Sequence, residues 1–168
     1  MRVLTVRQPW AAAIIYSGKD VENRVRNVAG TYRGPVAIHA GLARDASAIF
    51  PADVPLPVDV YGTDGGLVRS AIIGVVDLTD VHSASVIHGC GWLRHDCPEH
   101  GTCREHCSKW AMGPTQDGWF QHLVLANPRP LAEPIPFKGA LGLRTLDDDT
   151  TARVLAALTP TETNRTPS

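Results

Sequence analysis

The chain is 168 residues long and 18.1 kDa, 43% hydrophobic and 20% charged, with 16 Lys and Arg against 17 Asp and Glu. A single domain of this size buries roughly 70% of the surface its unfolded form exposes, which excludes a chain that needs disulfide staples to hold its core. A net charge of −1 excludes a polybasic, histone-like mode of binding, and no apolar run approaches the ~18 residues of a membrane span.

That charge is unevenly spread. Residues 1–50 carry seven Lys and Arg against three Asp and Glu, for +4, and residues 51–168 carry nine against fourteen, for −5. An anionic ligand is therefore expected at the N-terminal third. The first ten residues reach Pro9 and Trp10 without a signal-type apolar core, and the expected location is cytoplasmic.

Pro9 opens a predicted amphipathic helix through Trp10, Ala11, Ala12, Ala13, Ile14, Ile15 and Tyr16, which stops at Gly18 and leaves Lys19 at a rim. Over 20–26 the residues alternate. Val21, Asn23 and Val25 point one way and Asp20, Glu22, Arg24 and Arg26 the other, giving a strand with one heavily charged face. A turn at Gly30 leads to a second strand over 34–40, a short helix over 42–50 and a Pro- and Gly-rich surface loop to Gly66. The β-branched run over 71–81 predicts a buried strand. Further strands are expected over 122–125 and 140–146, with Pro128, Pro130, Pro134 and Pro136 punctuating the link between them. Asp147, Asp148 and Asp149 open a C-terminal helix over 147–158, and 159–168 reads as a flexible tail. Five or six strands with a few flanking helices and no βαβ rhythm predict an α+β fold, a small mixed β-barrel.

The segment Gly18-Lys19-Asp20-Val21-Glu22-Asn23-Arg24 resembles the G-x-K-x-x-E-x-R signature of the ASCH (activating signal cointegrator homology) domain. Its flanks agree: Leu4-Thr5-Val6-Arg7-Gln8-Pro9-Trp10 before it, Tyr32-Arg33-Gly34-Pro35-Val36-Ala37-Ile38-His39-Ala40-Gly41 after it, and Gly139-Ala140-Leu141-Gly142-Leu143 near the end. The resemblance spans residues 1–146. It implies a barrel similar to the RNA-binding PUA fold, with a cleft walled by the signature that takes RNA or a nucleoside, and single-stranded DNA is a further candidate ligand.

The residue chemistry is compatible with that implication. Arg24 or Arg7 can fork onto phosphate or a base edge, Lys19 supplies a point charge, and Glu22 accepts a proton or an exocyclic amine. Trp10 or Trp119 can stack an unpaired base. His39 titrates near neutrality and reads either as an acid-base group or as a polar strand residue. A solvated charged face is the plain alternative for the signature strand.

Some family members are enzymes. Small bacterial relatives remove the acyl group of N4-acetylcytidine with the lysine, a threonine placed where Glu22 stands here, and an acidic residue from a central strand. The resemblance points to Asp77 for that third role, as the charge within 71–78. Glu22 departs from the pattern, since a carboxylate keeps a base but removes a hydroxyl nucleophile or donor. Three functions are thus carried forward: a module recognising single-stranded RNA or a modified nucleoside, a hydrolase (amidohydrolase on N4-acetylcytidine, or ribonuclease) using Lys19, Glu22 and Asp77, and a protein-interaction domain.

All four cysteines fall in one 18-residue window, as Cys90-x6-Cys97-x5-Cys103-x3-Cys107, with His88, His95, His100 and His106 interleaved. Four thiols so spaced predict a structural Zn2+ knuckle ligated by Cys90, Cys97, Cys103 and Cys107, inserted at 88–110. His106 or His100 in place of a cysteine, two disulfides and free thiols are the alternatives.

Overall fold

The computed structural model describes residues 1–51, 53–54, 67–97 and 101–158, with the side chains of 92–105 excepted. The loop expected up to Gly66 and the tail expected over 159–168 lie mostly or wholly outside the described residues.

The chain forms β1 (Arg2–Gln8), α1 (Trp10–Tyr16), β2 (Val21–Arg24), β3 (Gly34–Arg44) and β4 (Ala71–Ser83). After these come β5 (Trp92–Cys97), β6 (Gly101–Glu105), β7 (Pro114–Thr115), β8 (Gly118–Trp119), β9 (Gln121–Pro136), β10 (Leu143–Thr145) and α2 (Asp148–Ala156). Six strands make one mixed sheet in the order β10-β1-β3-β4-β9-β2, with β1 parallel to β3 and the other pairs antiparallel. The pairs β5–β6 and β7–β8 form two small hairpins apart from it.

Two apolar clusters cover the two faces of this sheet. Ala11, Ile14 and Ile15 of α1 pack with Leu4, Val6, Ile38, Ile73 and Leu123. Val154 of α2 packs with Val3, Ile72, Val75, Leu131 and Ile135. The second helix is held at its start by Asp147, whose carboxylate accepts from the Thr150 backbone N–H at 2.7 Å and from its hydroxyl at 3.0 Å.

The sheet is open rather than closed into a barrel. Its end strands, four residues in β2 and three in β10, are too short to form a closing ladder. A side chain makes the link instead. β10 pairs with Arg2, Val3 and Leu4, and just beyond it Arg24 Nη2 of β2 donates to the Thr5 carbonyl at 2.7 Å. The helix expected over 42–50 is absent. β3 continues to Arg44, which pairs with Gln8, and the Asp45 carboxylate then bonds the N–H and hydroxyl of Ser47 in a local turn that competes with helix. The proline-punctuated link expected after residue 125 is strand: β9 runs 16 residues and includes all four prolines.

Candidate functional site

Gly18 ends α1 with φ +68°, a conformation that suits glycine, and the next residue turns inward. Lys19 is buried, not at a rim. Its ammonium donates to the Val21 carbonyl, lies 3.5 Å from Glu22 Oε2, and sits 5.8 Å from the ring centroids of both Trp10 and Trp110. Burial holds the lysine below its ordinary range, while Glu22, and less so Asp20, pull it back up. Glu22 is also buried and extends the chain of charges to Arg24, whose Nη2 lies 3.1 Å from Glu22 Oε1. Two donors beside this chain, Arg24 Nε and Trp110 Nε1, are buried without a partner among the described residues.

The other expected site residues are placed as follows. Trp10 is stacked on Phe50 at 5.3 Å and donates its Nε1–H to Asp45 at 2.9 Å, so one of its faces is taken. Arg7 is exposed, two residues along β1 from Thr5. Trp119 stands on the β7–β8 hairpin, opposite Pro114. Asp77 is paired with Arg129 at 2.5 Å and accepts from Asn127 at 2.9 Å.

Thr5 connects the charged chain to a larger cavity. Its carbonyl takes Arg24, and its hydroxyl lies 3.2 Å from Nδ1 of the buried His39, the residue facing it on β3. The Phe137 carbonyl, 2.9 Å from His39 Nε2, can only accept, so Nε2 carries the proton and Nδ1 is left to accept from Thr5. Burial lowers the His39 pKa, partly offset by that carbonyl, which favours the neutral ring. Thr5, His39, Ser70, Phe137, Lys138 and Leu141 are among the walls of a cavity of about 660 Å³. A Cβ on Gly139 would lie 2.4 Å from His39 Cε1 and 2.8 Å from the Thr5 hydroxyl, so only glycine lets this backbone cross there. The gap lined by Lys19 on its other side is about 60 Å³, room for water but not for a base.

A second polar centre lies next to the signature strand. His82, Cys90, Cys107 and His122 bring four ligand atoms within 4.8 Å of one another. His122 Nδ1 is 3.2 Å from Cys90 Sγ and 3.5 Å from Cys107 Sγ, and His82 Nε2 is 3.3 Å from Cys107 Sγ. Cys90 and Cys107 are two of the four expected ligands. The Cys97 and Cys103 side chains lie outside the described residues. The histidines escape the spacing argument because they come from the sheet, where His82 of β4 pairs directly with His122 of β9. Two thiols and two imidazoles are a donor set that can hold a metal ion such as Zn2+.

No described helix is long and apolar enough to cross a membrane. No protein-family model and no curated protein matches the sequence. Solved structures do match. A tyrosine-to-phenylalanine variant of the ASCH protein from Zymomonas mobilis is 16% identical with a TM-score of 0.53, over 94% of this chain and 98% of that one. A serine-to-alanine variant of the same protein gives 16% identity and a TM-score of 0.50, over 94% of this chain and 96% of that one. The architecture built here from its strands upward is therefore an ASCH-like fold.

Proposed function

We propose that the protein recognises a nucleoside, either a free modified one or one within single-stranded RNA, in the cleft walled by Thr5, His39 and Lys138. Lys19, Glu22 and Arg24 form the charged layer behind Thr5. The observation that carries this reading is the cavity itself, with polar Thr5, His39, Ser70 and Lys138 on its walls. The cavity of about 660 Å³ falls within the ~300–1,000 Å³ range common for small-molecule sites. Lys138 on its wall, and the exposed Arg7 further along β1, supply cations for a phosphate backbone.

A second reading, a hydrolase acting on N4-acetylcytidine or RNA, is favoured by Lys19 itself. Desolvation lowers its pKa toward the range in which an amine exchanges a proton, and Glu22 at 3.5 Å is the matching base. Asp77 would enter such chemistry only by giving up Arg129.

Both readings meet in one experiment. Purified protein and the Lys19→Ala variant are titrated calorimetrically with N4-acetylcytidine, a short single-stranded RNA and the matching DNA at two salt concentrations, and products are followed by mass. Salt-sensitive binding of intact RNA or nucleoside that weakens in the variant is the expected result. Release of acetate or cleaved RNA by the wild type alone establishes the hydrolase. Absence of both binding and turnover overturns the nucleoside reading and leaves a protein-interaction surface.

A further inference from the structure

We infer that His82, Cys90, Cys107 and His122 form a closed tetrahedral zinc centre, and that the ion seats Trp110 against the signature lysine. The first half of this inference rests on the outer contacts of the two histidines. His122 presents Nδ1 to both sulfurs, and its other nitrogen, Nε2, donates to the Met112 carbonyl at 2.8 Å. His82 presents Nε2 to Cys107, and its Nδ1 lies 2.7 Å from the Asp80 carboxylate. Each ring is therefore fixed in the tautomer that turns a lone pair toward the thiols, by the carbonyl and carboxylate partners that metal-bound histidines ordinarily keep.

The thiols are delivered by backbone geometry. The Cys90 N–H donates to the Ser83 carbonyl at 3.0 Å, which folds the chain after β4 back onto its own end. Cys107 arrives from the other side, and four ligands complete the coordination that a structural zinc requires, so Cys97 and Cys103 are not needed. His106, with Nδ1 at 3.9 Å from Cys90 Sγ, stands outside that set.

The second half follows the chain onward from Cys107. The Ser108 hydroxyl donates to Asp20, Asn23 Nδ2 donates to the Trp110 carbonyl at 2.8 Å, and the Met112 N–H donates to Asn23 Oδ1 at 2.9 Å. Segment 107–112 is thus laid along the signature segment, with zinc ligands at or against both of its ends: Cys107 itself, and His122 at Met112. Between them the Trp110 ring faces Lys19.

The test uses the purified full chain. Metal analysis is expected to give one zinc per chain, and cobalt in its place the visible bands of a tetrahedral site with thiolate charge transfer. Cys107→Ser and His122→Ala should abolish this. Asp80→Asn, at an exposed residue, should weaken zinc 10–100-fold in competition with a chromophoric chelator. Cys97→Ser and Cys103→Ser should keep one zinc. Zinc that survives His82→Ala and His122→Ala but is lost in Cys97→Ser or Cys103→Ser overturns the ligand set, as does wild-type protein that takes up neither zinc nor cobalt. Stripping zinc should shift tryptophan emission in the wild type and do so less in Trp110→Phe. Equal shifts in the two proteins overturn the seating of Trp110.

Discussion

Asn23 faces His122 across the β2–β9 ladder, and the two side chains hold the same loop. Asn23 binds it at the Trp110 carbonyl and the Met112 N–H, and His122 binds it at the Met112 carbonyl. One ladder position thus joins the signature strand, the candidate metal centre and the tryptophan over Lys19. Replacing Asn23 by Ala removes two side-chain bonds, each worth about 0.5–1.5 kcal/mol. The expected loss is about 1–3 kcal/mol in denaturant unfolding, together with altered tryptophan emission of the folded protein.

Lys19→Met should separate stability from function. Glu22 keeps Arg24 at 3.1 Å when the ammonium is gone, and the desolvation of the lysine disappears with it. Removing one partner of a buried ion pair commonly costs about 3–5 kcal/mol, because it leaves the other charge uncompensated. With Arg24 still beside Glu22, the variant is expected to lose less than about 3 kcal/mol of stability, and to lose ligand binding in the same calorimetric titration. A large loss of stability would mean that the lysine is kept for folding.

Burial holds His39 below its ordinary value of 6.5 and Lys19 below 10.5. Between each lowered folded value and the ordinary one, the unfolded chain binds more protons than the folded chain, so stability rises with pH across both windows. His39 accordingly withdraws stability as the pH falls from 6.5 toward its folded value. The folded protein should lose stability more steeply below pH 6.5 than a His39→Gln variant, read from urea midpoints at a series of pH values.

Gly139→Ala places a methyl group 2.4 Å from His39 Cε1, against a ring tied down at both nitrogens. Overpacking of this kind costs about 1–3 kcal/mol. The expected result is a lower denaturation midpoint and weaker ligand binding.

Much of the local structure was legible in the sequence because it is written in local chemistry. Pro9 and Gly18 bracket α1, Asp147 caps α2, and the β-branched run beginning at Ala71 is the central strand β4. The resemblance to ASCH domains identified the fold class. What stayed hidden depends on who pairs with whom. Prolines 128, 130, 134 and 136 read as a linker, yet β2 covers β9 only from Gln121 to Val124, and all four lie beyond it. There β9 is largely an edge, where a missing N–H is tolerated. Lys19, expected at a rim, is enclosed because Trp110, far along the chain, closes over it. His82 and His122 are 40 positions apart in sequence and meet only through the β4–β9 register.

That last pairing bears on whether the cysteine-bearing segment could be moved as a unit. A zinc knuckle whose four ligands lie in one short window is a portable unit that can be cut out or grafted whole. The site proposed here would instead take its two imidazoles from β4 and β9 and only its two thiols from the cysteine-bearing segment. Grafted onto another scaffold, residues 88–110 would carry an incomplete site, and excised from this one they would leave two histidines side by side on β4 and β9. A metal ion held by these four side chains would therefore pin segment 88–110 to the sheet at β4 and β9.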